Sequence, residues 1–218
     1  MSTAIQVSLR EQLVSLSREM FRLGLVTGTS GNMSVRGEAG DTCLVTPSGV
    51  DYEHMTENDV VEVDLDGTPR PGQLKPSVDT MNHCAIYRAR TDVSSVIHTH
   101  SPYAAAFSTL HRVIPALVAE AAGYLGGEVR VAPYLPPARP ELGERAAEAI
   151  GQDRAVLLPN HGVIAVGETA SKAFHAAVSV EELARVAHLA LLLGEPVPVP
   201  AGEVDRIYQF IHFKYGQR

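Results

Sequence analysis

Paired cysteines, long apolar runs and basic clusters are all missing from this chain, and each absence removes a class of protein. Cys43 and Cys84 have no metal-finger or redox spacing, which predicts reduced, packed thiols and no disulfide framework. No stretch of 18 or more apolar residues is present, so no membrane span is expected. The first residues, MSTAIQVSLREQLVSL, lack a basic region and carry Glu11 early, unlike a secretory leader. Together these readings place the protein in the cytoplasm. With a formal net charge of −7 and no cluster of more than two or three Lys/Arg, nucleic acid is excluded as a main partner. No GK[ST] ending follows any glycine-rich loop, so there is no P-loop. Internal repeats and low-complexity tracts are also lacking.

What is present is 218 residues with 45% hydrophobic content, enough for one core and small for two, so residues 1–218 read as a single domain. Leu9, Leu13, Leu16, Met20 and Leu23 recur at helical spacing and predict an amphipathic helix over 5–24, with Ser2 or Thr3 as cap. A polar loop follows through Asn32. Strands are predicted at 42–46, 60–64, 93–100 and 129–133, and a hairpin joins the apolar runs 155–158 and 163–166. Helices are predicted at 77–89 (Ser77 as N-cap), after Pro102, and over 140–151, 168–194 and 202–213. Helices mixed with strands, without a regular βαβ rhythm, predict an α/β layered fold around an antiparallel or mixed sheet.

The chemistry concentrates at three histidines. In a strand, residues i and i+2 face the same side, so His98 and His100 project together. His161, in the Asn160-His161-Gly162 turn, can approach from a neighbouring strand. Three neutral imidazoles with an open fourth position describe a catalytic Zn²⁺ site, whereas a closed structural site wants four ligands. Imidazole suits several metals, so Mn²⁺ and Co²⁺ fit the same set. Asp79 is the carboxylate expected beside the open position. The plainer alternative is a pair of hydrogen-bonded core histidines and a turn residue; the remaining six histidines lack ligand spacing and read as structural or exposed. Small-residue turns supply anion donors in three places: Gly28 to Asn32 (with Gly31), Ser48-Gly49, and Ser77 at a helix start. Three such turns can converge on one phosphate without an arginine.

In order along the chain, GLVTGTSGNMSVR (24–36), VTPSGVDY (45–52), KPSVDT (75–80), VIHTHS (96–101), LLPNHGVIAVG (157–167) and FKYG (213–216) resemble the class II aldolase/adducin family. The resemblance implies an α/β layered sandwich with a central, mostly antiparallel sheet flanked by helices, assembled as a homotetramer with sites between subunits. It implies Zn²⁺ on His98, His100 and His161, and a substrate phosphate on Gly31, Asn32, Ser48, Gly49 and Ser77. It also implies a catalytic carboxylate at Asp79 and a second proton-transfer group at Tyr215. The activity implied is reversible cleavage of a ketose 1-phosphate, of the L-fuculose 1-phosphate kind, into dihydroxyacetone phosphate and an aldehyde through a metal-stabilised enediolate. The alternatives are an L-ribulose-5-phosphate 4-epimerase-like, dehydratase or decarboxylase reaction on a sugar phosphate, or a non-catalytic adducin-like head. Four positions depart from the aldolase or epimerase pattern. Asp79 stands where aldolases have Glu and the epimerases Asp, and Val78 where a second serine is common. Gly123 stands where the epimerases have their second acid, and Ala119 where aldolases have a tyrosine, with Glu120 and Tyr124 close by.

Overall fold

The computed structural model describes residues 8–137, 139 and 141–216. Along the chain run α1 (Leu9–Arg22), β1 (Asn32–Arg36), β2 (Thr42–Val45), β3 (Val61–Asp64), α2 (Thr80–Ala89), β4 (Ser95–Thr99), α3 (Pro102–Thr109) and α4 (Ala119–Leu125). There follow β5 (Arg130–Val131), α5 (Glu141–Ile150), β6 (Ala155–Leu158), β7 (Gly162–Gly167), α6 (Ala170–Leu193) and α7 (Ala201–Phe213). The seven strands form one sheet in the order β3-β2-β1-β4-β7-β6-β5, antiparallel throughout except for the parallel β5–β6 pair at one edge. No helix among the described residues is long and apolar enough to cross a membrane.

Strand alternation divides the interior into two layers. On one face Leu44, Ile97, Leu157, Val163 and Ala165 pack with Leu13 and Met20 of α1, Phe107 of α3, Leu125 of α4 and the alanine-rich side of α6. On the other, Cys43, Val96, Val156, Ile164 and Val166 pack with Ile86 and Tyr87 of α2 and with Leu142, Ala146 and Ile150 of α5. Period-2 side chains on strands buried on both sides therefore give a helix–sheet–helix sandwich. Alanine is what lets α6 lie close to the sheet: Ala173, Ala176, Ala177, Ala184 and Ala187 are all fully buried.

Most predicted elements are found, with shifted ends. Helix α1 begins at Leu9, and Ser8 is its N-cap, accepting from the Glu11 N–H at 3.0 Å; Ser2, Thr3 and residues 5–7 lie outside the described residues, as does Pro140. Helix α2 starts at Thr80 with Asp79 in the N-cap position, so Ser77 is not its cap. Instead Ser77 closes the turn before it, accepting the Thr80 N–H on its carbonyl (3.1 Å) and the Asp79 N–H on Oγ (3.3 Å). The 129–133 strand shrinks to the two residues of β5. Two elements escaped the sequence reading, β1 and α4. Strand β1 was hidden because its alternating polar residues, Asn32 and Ser34, are buried rather than solvated.

Gly167 shows how tightly the layers meet. A Cβ there would collide with the Ala173 backbone nitrogen and come within 2.8 Å of the Lys172 carbonyl carbon, atoms of the first turn of α6 that cannot swing away. Gly167→Ala should therefore cost about 1–3 kcal/mol of stability, as overpacking does. Urea unfolding monitored by circular dichroism would measure this loss.

Candidate metal centre

The centre of the sheet sets the histidines. β4 lies between β1 and β7, with His98 opposite Asn32 on one side and Ile164 on the other. His98 is 2% exposed, and its Nδ1 lies 2.9 Å from the Val163 carbonyl. That bond assigns the proton to Nδ1 and leaves Nε2 with a free lone pair, the orientation that metal-bound imidazoles usually have. His100, just past the end of β4, aims its Nε2 at the same point, 2.9 Å from His98 Nε2. His161 sits in the tight turn between β6 and β7, with its ring centroid 4.6 Å from that of His98 and 5.1 Å from that of His100. One nitrogen from each ring lies within 4.8 Å of the others, and this is the group among the described residues able to hold a metal ion. Burial lowers the pKa of all three rings, that of His98 to about 3 despite the opposing pull of Asp79. Three neutral imidazoles converging from one side are the donor set that a divalent ion needs. The residues fit the metal.

Asp79 borders this cluster. Its Oδ2 is 4.0 Å from His98 Nε2 and accepts from the Asn32 amide at 2.8 Å, while Oδ1 accepts from the Asn82 amide at 3.1 Å. Burial raises the pKa of this carboxyl, but the facing His98 and the Asn32 amide outweigh it and hold it below the ordinary value. An Asp in the N-cap position ordinarily accepts from the helix's own N–H groups, worth ~1 kcal/mol. Asp79 makes no such bond and turns its carboxylate to the cluster.

The Ser48 and Ser77 turns lie side by side. Pro47 bridges Pro76, Ser48 N–H donates to the Lys75 carbonyl (2.9 Å), and Ser77 N–H to the Thr46 carbonyl (3.1 Å). Thr46 in turn is bonded to Met33 of β1 through backbone and side chain. Ser48, Gly49 and Ser77 are thus tied to the strand that carries Asn32. Gly31, at φ +70°, lies just before β1 and close to β4: a Cβ would strike Val26 and come 2.7 Å from the His98 carbonyl oxygen. Val78 points outward and is 74% exposed.

Among the described residues, Tyr215 makes no contact with this cluster. It follows α7, is 71% exposed, and its ring lies 5.8 Å from that of Phe210. Tyr124 is structural, since its hydroxyl donates to the Lys172 carbonyl and its ring packs against His175 and His212. Sequence reasoning missed three supports. Tyr52, at the end of the VTPSGVDY segment, donates its buried hydroxyl to the Gly31 carbonyl at 2.7 Å. Glu181 of α6 accepts from the free N–H groups of Tyr103 and Ala104 (3.0 and 2.9 Å), anchoring α3 immediately after His100. Asn82 is the third. Each lies far in sequence from what it holds or has no signal of its own.

A mixed α/β sandwich with an imidazole triad beside a buried carboxylate defines a metal-dependent lyase of the class II aldolase type. The family model described as "Class II Aldolase and Adducin N-terminal domain" matches residues 11–188, and the chain belongs to that family. It is 39% identical over 204 residues to a 5-methylthioribulose-1-phosphate/5-deoxyribulose-1-phosphate aldolase of Rhodospirillum rubrum, covering 94% of this chain and 91% of that protein. It is 39% identical over 195 residues to the L-fuculose phosphate aldolase of Escherichia coli K12, covering 89% of each. A solved L-fuculose 1-phosphate aldolase superposes with a TM-score of 0.90 at 32% identity, covering 98% of this chain and 100% of that one.

Gly162 tests the geometry of the triad. A Cβ at this position would collide with the Thr99 carbonyl oxygen and lie 2.9 Å from His100 Cδ2 and 3.3 Å from His98 Cε1. Gly162→Ala should therefore splay β4 from β7 and weaken metal binding by about 10-fold or more. Competition with a chromophoric chelator would read the change, and unaltered affinity would refute this account of the turn.

Proposed function

We propose that this enzyme is a Zn²⁺-dependent aldolase that reversibly cleaves a ketose 1-phosphate to dihydroxyacetone phosphate and an aldehyde. The observation that carries the proposal is the Asp79 carboxylate, 4.0 Å from His98 and beside three imidazoles whose nitrogens lie within 4.8 Å of one another. His98, His100 and His161 would hold Zn²⁺, which would supply Lewis-acid polarisation of a substrate carbonyl, worth several kcal/mol of barrier; Mn²⁺ or Co²⁺ would bind the same donors. Asp79 exchanges the proton at the carbon whose bond to the aldehyde breaks. Gly31, Asn32, Ser48, Gly49 and Ser77 bind the phosphate with backbone and short side-chain donors, local dipoles that act against the unfavourable field of a net charge of −7. Tyr215, exposed and distant in contact from its own triad, serves the departing aldehyde oxygen of a neighbouring subunit in a homotetramer. Exposed apolar side chains at the same end of the chain, Leu193 at 91% and Phe213 at 56%, support burial against another copy. The expected location remains the cytoplasm.

An Asp at position 79 favours the epimerase alternative, but position 123 opposes it. A Cβ at Gly123 would strike the Ile207 side chain of α7, so no acid fits there without moving that helix. The dehydratase and decarboxylase alternatives share the metal and Asp79 and differ only in the bond broken. A screen of the Zn²⁺-loaded protein against ketose 1-phosphates, reading aldehyde release, should give turnover. Mixing it with dihydroxyacetone phosphate and an aldehyde should form a new carbon–carbon bond. His98→Ala should lower either rate by at least about 10³-fold, and chelator should abolish the wild-type activity. Inversion at one carbon with no aldehyde released would assign the epimerase reaction instead, and chelator-resistant activity in His98→Ala would overturn the metal reading.

A further inference from the structure

Asn82 occupies a place that ordinary helix chemistry does not explain. It is the third residue of α2, 4% exposed, and asparagine is a poor helix former whose buried amide is costly unless bonded. In a capping box the residue at this position reaches back to the backbone N–H of the N-cap. Asn82 instead reaches back to the N-cap side chain, donating from Nδ2 to Asp79 Oδ1 at 3.1 Å. The helix itself starts on the Asp79 carbonyl, which accepts the N–H groups of Asn82 (2.9 Å) and His83 (3.2 Å). The carboxylate is therefore spare, and Asn82 spends its amide on it.

Two amides then hold one carboxylate. Asn32, from β1, takes Oδ2, the oxygen facing His98; Asn82, from α2, takes Oδ1. With both oxygens engaged from different elements, the plane of the carboxylate cannot rotate. The bracing continues behind Asn82: Gly143 of α5 lies so close that a Cβ there would be 2.5 Å from both the Asn82 Cα and carbonyl oxygen. Only a glycine lets α5 press on the first turn of α2 at this point. We propose that Asn82 is a positioning residue that fixes the Asp79 carboxylate in the orientation its proton transfer requires. The inference rests on the reading of Asp79 given above.

Proton exchange isolates that step without a known aldehyde partner. Zn²⁺-loaded protein is incubated with dihydroxyacetone phosphate in D₂O, and loss of the exchangeable carbon-bound proton is followed by NMR. Asp79 removes a proton from the hydroxymethyl carbon and returns a deuteron from solvent, so the step balances with no co-reactant. Asn82→Leu should slow exchange at saturating dihydroxyacetone phosphate by about 10- to 100-fold, the cost of a misplaced reacting group. Its half-saturation constant and zinc content should stay at wild-type values. Asn82→Gln, which keeps the amide on a longer arm, should recover most of the rate. If Asn82→Leu does not fold, Asn82→Ala carries the same expectation. Wild-type exchange in the leucine variant would overturn the proposal, as would an equal loss in the glutamine variant or a loss expressed in the half-saturation constant, which marks packing. Absence of exchange in the wild-type protein would remove the reading of Asp79 itself, and Asn82's role with it.

Discussion

Everything at this site hangs from a polar seam between a central strand and the helix that covers it. β1 turns Asn32, Ser34 and Arg36 towards α2 and its flanks, and each finds a partner there. Asn32 donates to Asp79, and Ser34 Oγ bonds both His83 Nδ1 (2.6 Å) and the Tyr87 hydroxyl (2.7 Å). Arg36 donates to the carbonyls of Tyr87 and Arg90 and lies over the Tyr87 ring, 4.7 Å from its centroid. Buried polar groups are expensive unless paired, and an unmade bond in such a place costs ~1–3 kcal/mol. A slip of α2 by one turn would leave the whole row without partners, so the seam fixes the helix in register as well as in place.

The seam joins two devices of different kinds. The histidines are placed by backbone: β4 is hydrogen-bonded on both sides, His98 is bonded to the Val163 carbonyl, and Gly162 leaves room for the rings. The carboxylate is placed by side chains, through the amides of Asn32 and Asn82. Asn32 belongs to both, since it pairs with His98 across the sheet and holds Asp79 with its side chain. Its Oδ1, like His83 Nε2, is buried without a hydrogen-bond partner, so the seam keeps an unused acceptor beside the carboxylate.

How much of this was legible follows from where the controlling interactions lie. Helices α1 and α6 announce themselves because their pattern is local, and the β6–β7 hairpin because two apolar runs flank a turn. The His98/His100 pair is legible from strand geometry alone, and His161 joins it only because the hairpin brings its turn to the end of β4. β1 was missed for a physical reason: alternation of Asn32, Met33, Ser34 and Val35 looks like a half-solvated segment when the polar partners come from residues 45 or more positions away. Distance along the chain also hid Tyr52 and Glu181, whose targets are Gly31 and the start of α3; Asn82 is local to Asp79 but bonds a side chain on the helix N-cap, which no helix pattern announces. Tyr215 was singled out by a motif alone, and no contact among the described residues ties it to the triad.

This division of labour bears on how such a site changes its substrate. The triad depends on paired strands and on a glycine with no spare volume, so alterations there disturb the convergence of the three rings. The first turn around α2 is different in character. Val78, Asp79 and Asn82 are side-chain choices on a backbone already fixed by the seam, by the Pro47–Pro76 bridge and by the pressure of Gly143. Aspartate has a carboxylate arm one methylene shorter than glutamate, and an amide three residues along the helix bonds that carboxylate without moving the chain. The exposed Val78 removes a hydroxyl donor at the same turn while leaving Ser77 in its bonds. Departures from the aldolase pattern can therefore gather at this turn because geometry there is supplied from behind, whereas at the histidines the geometry is the backbone itself.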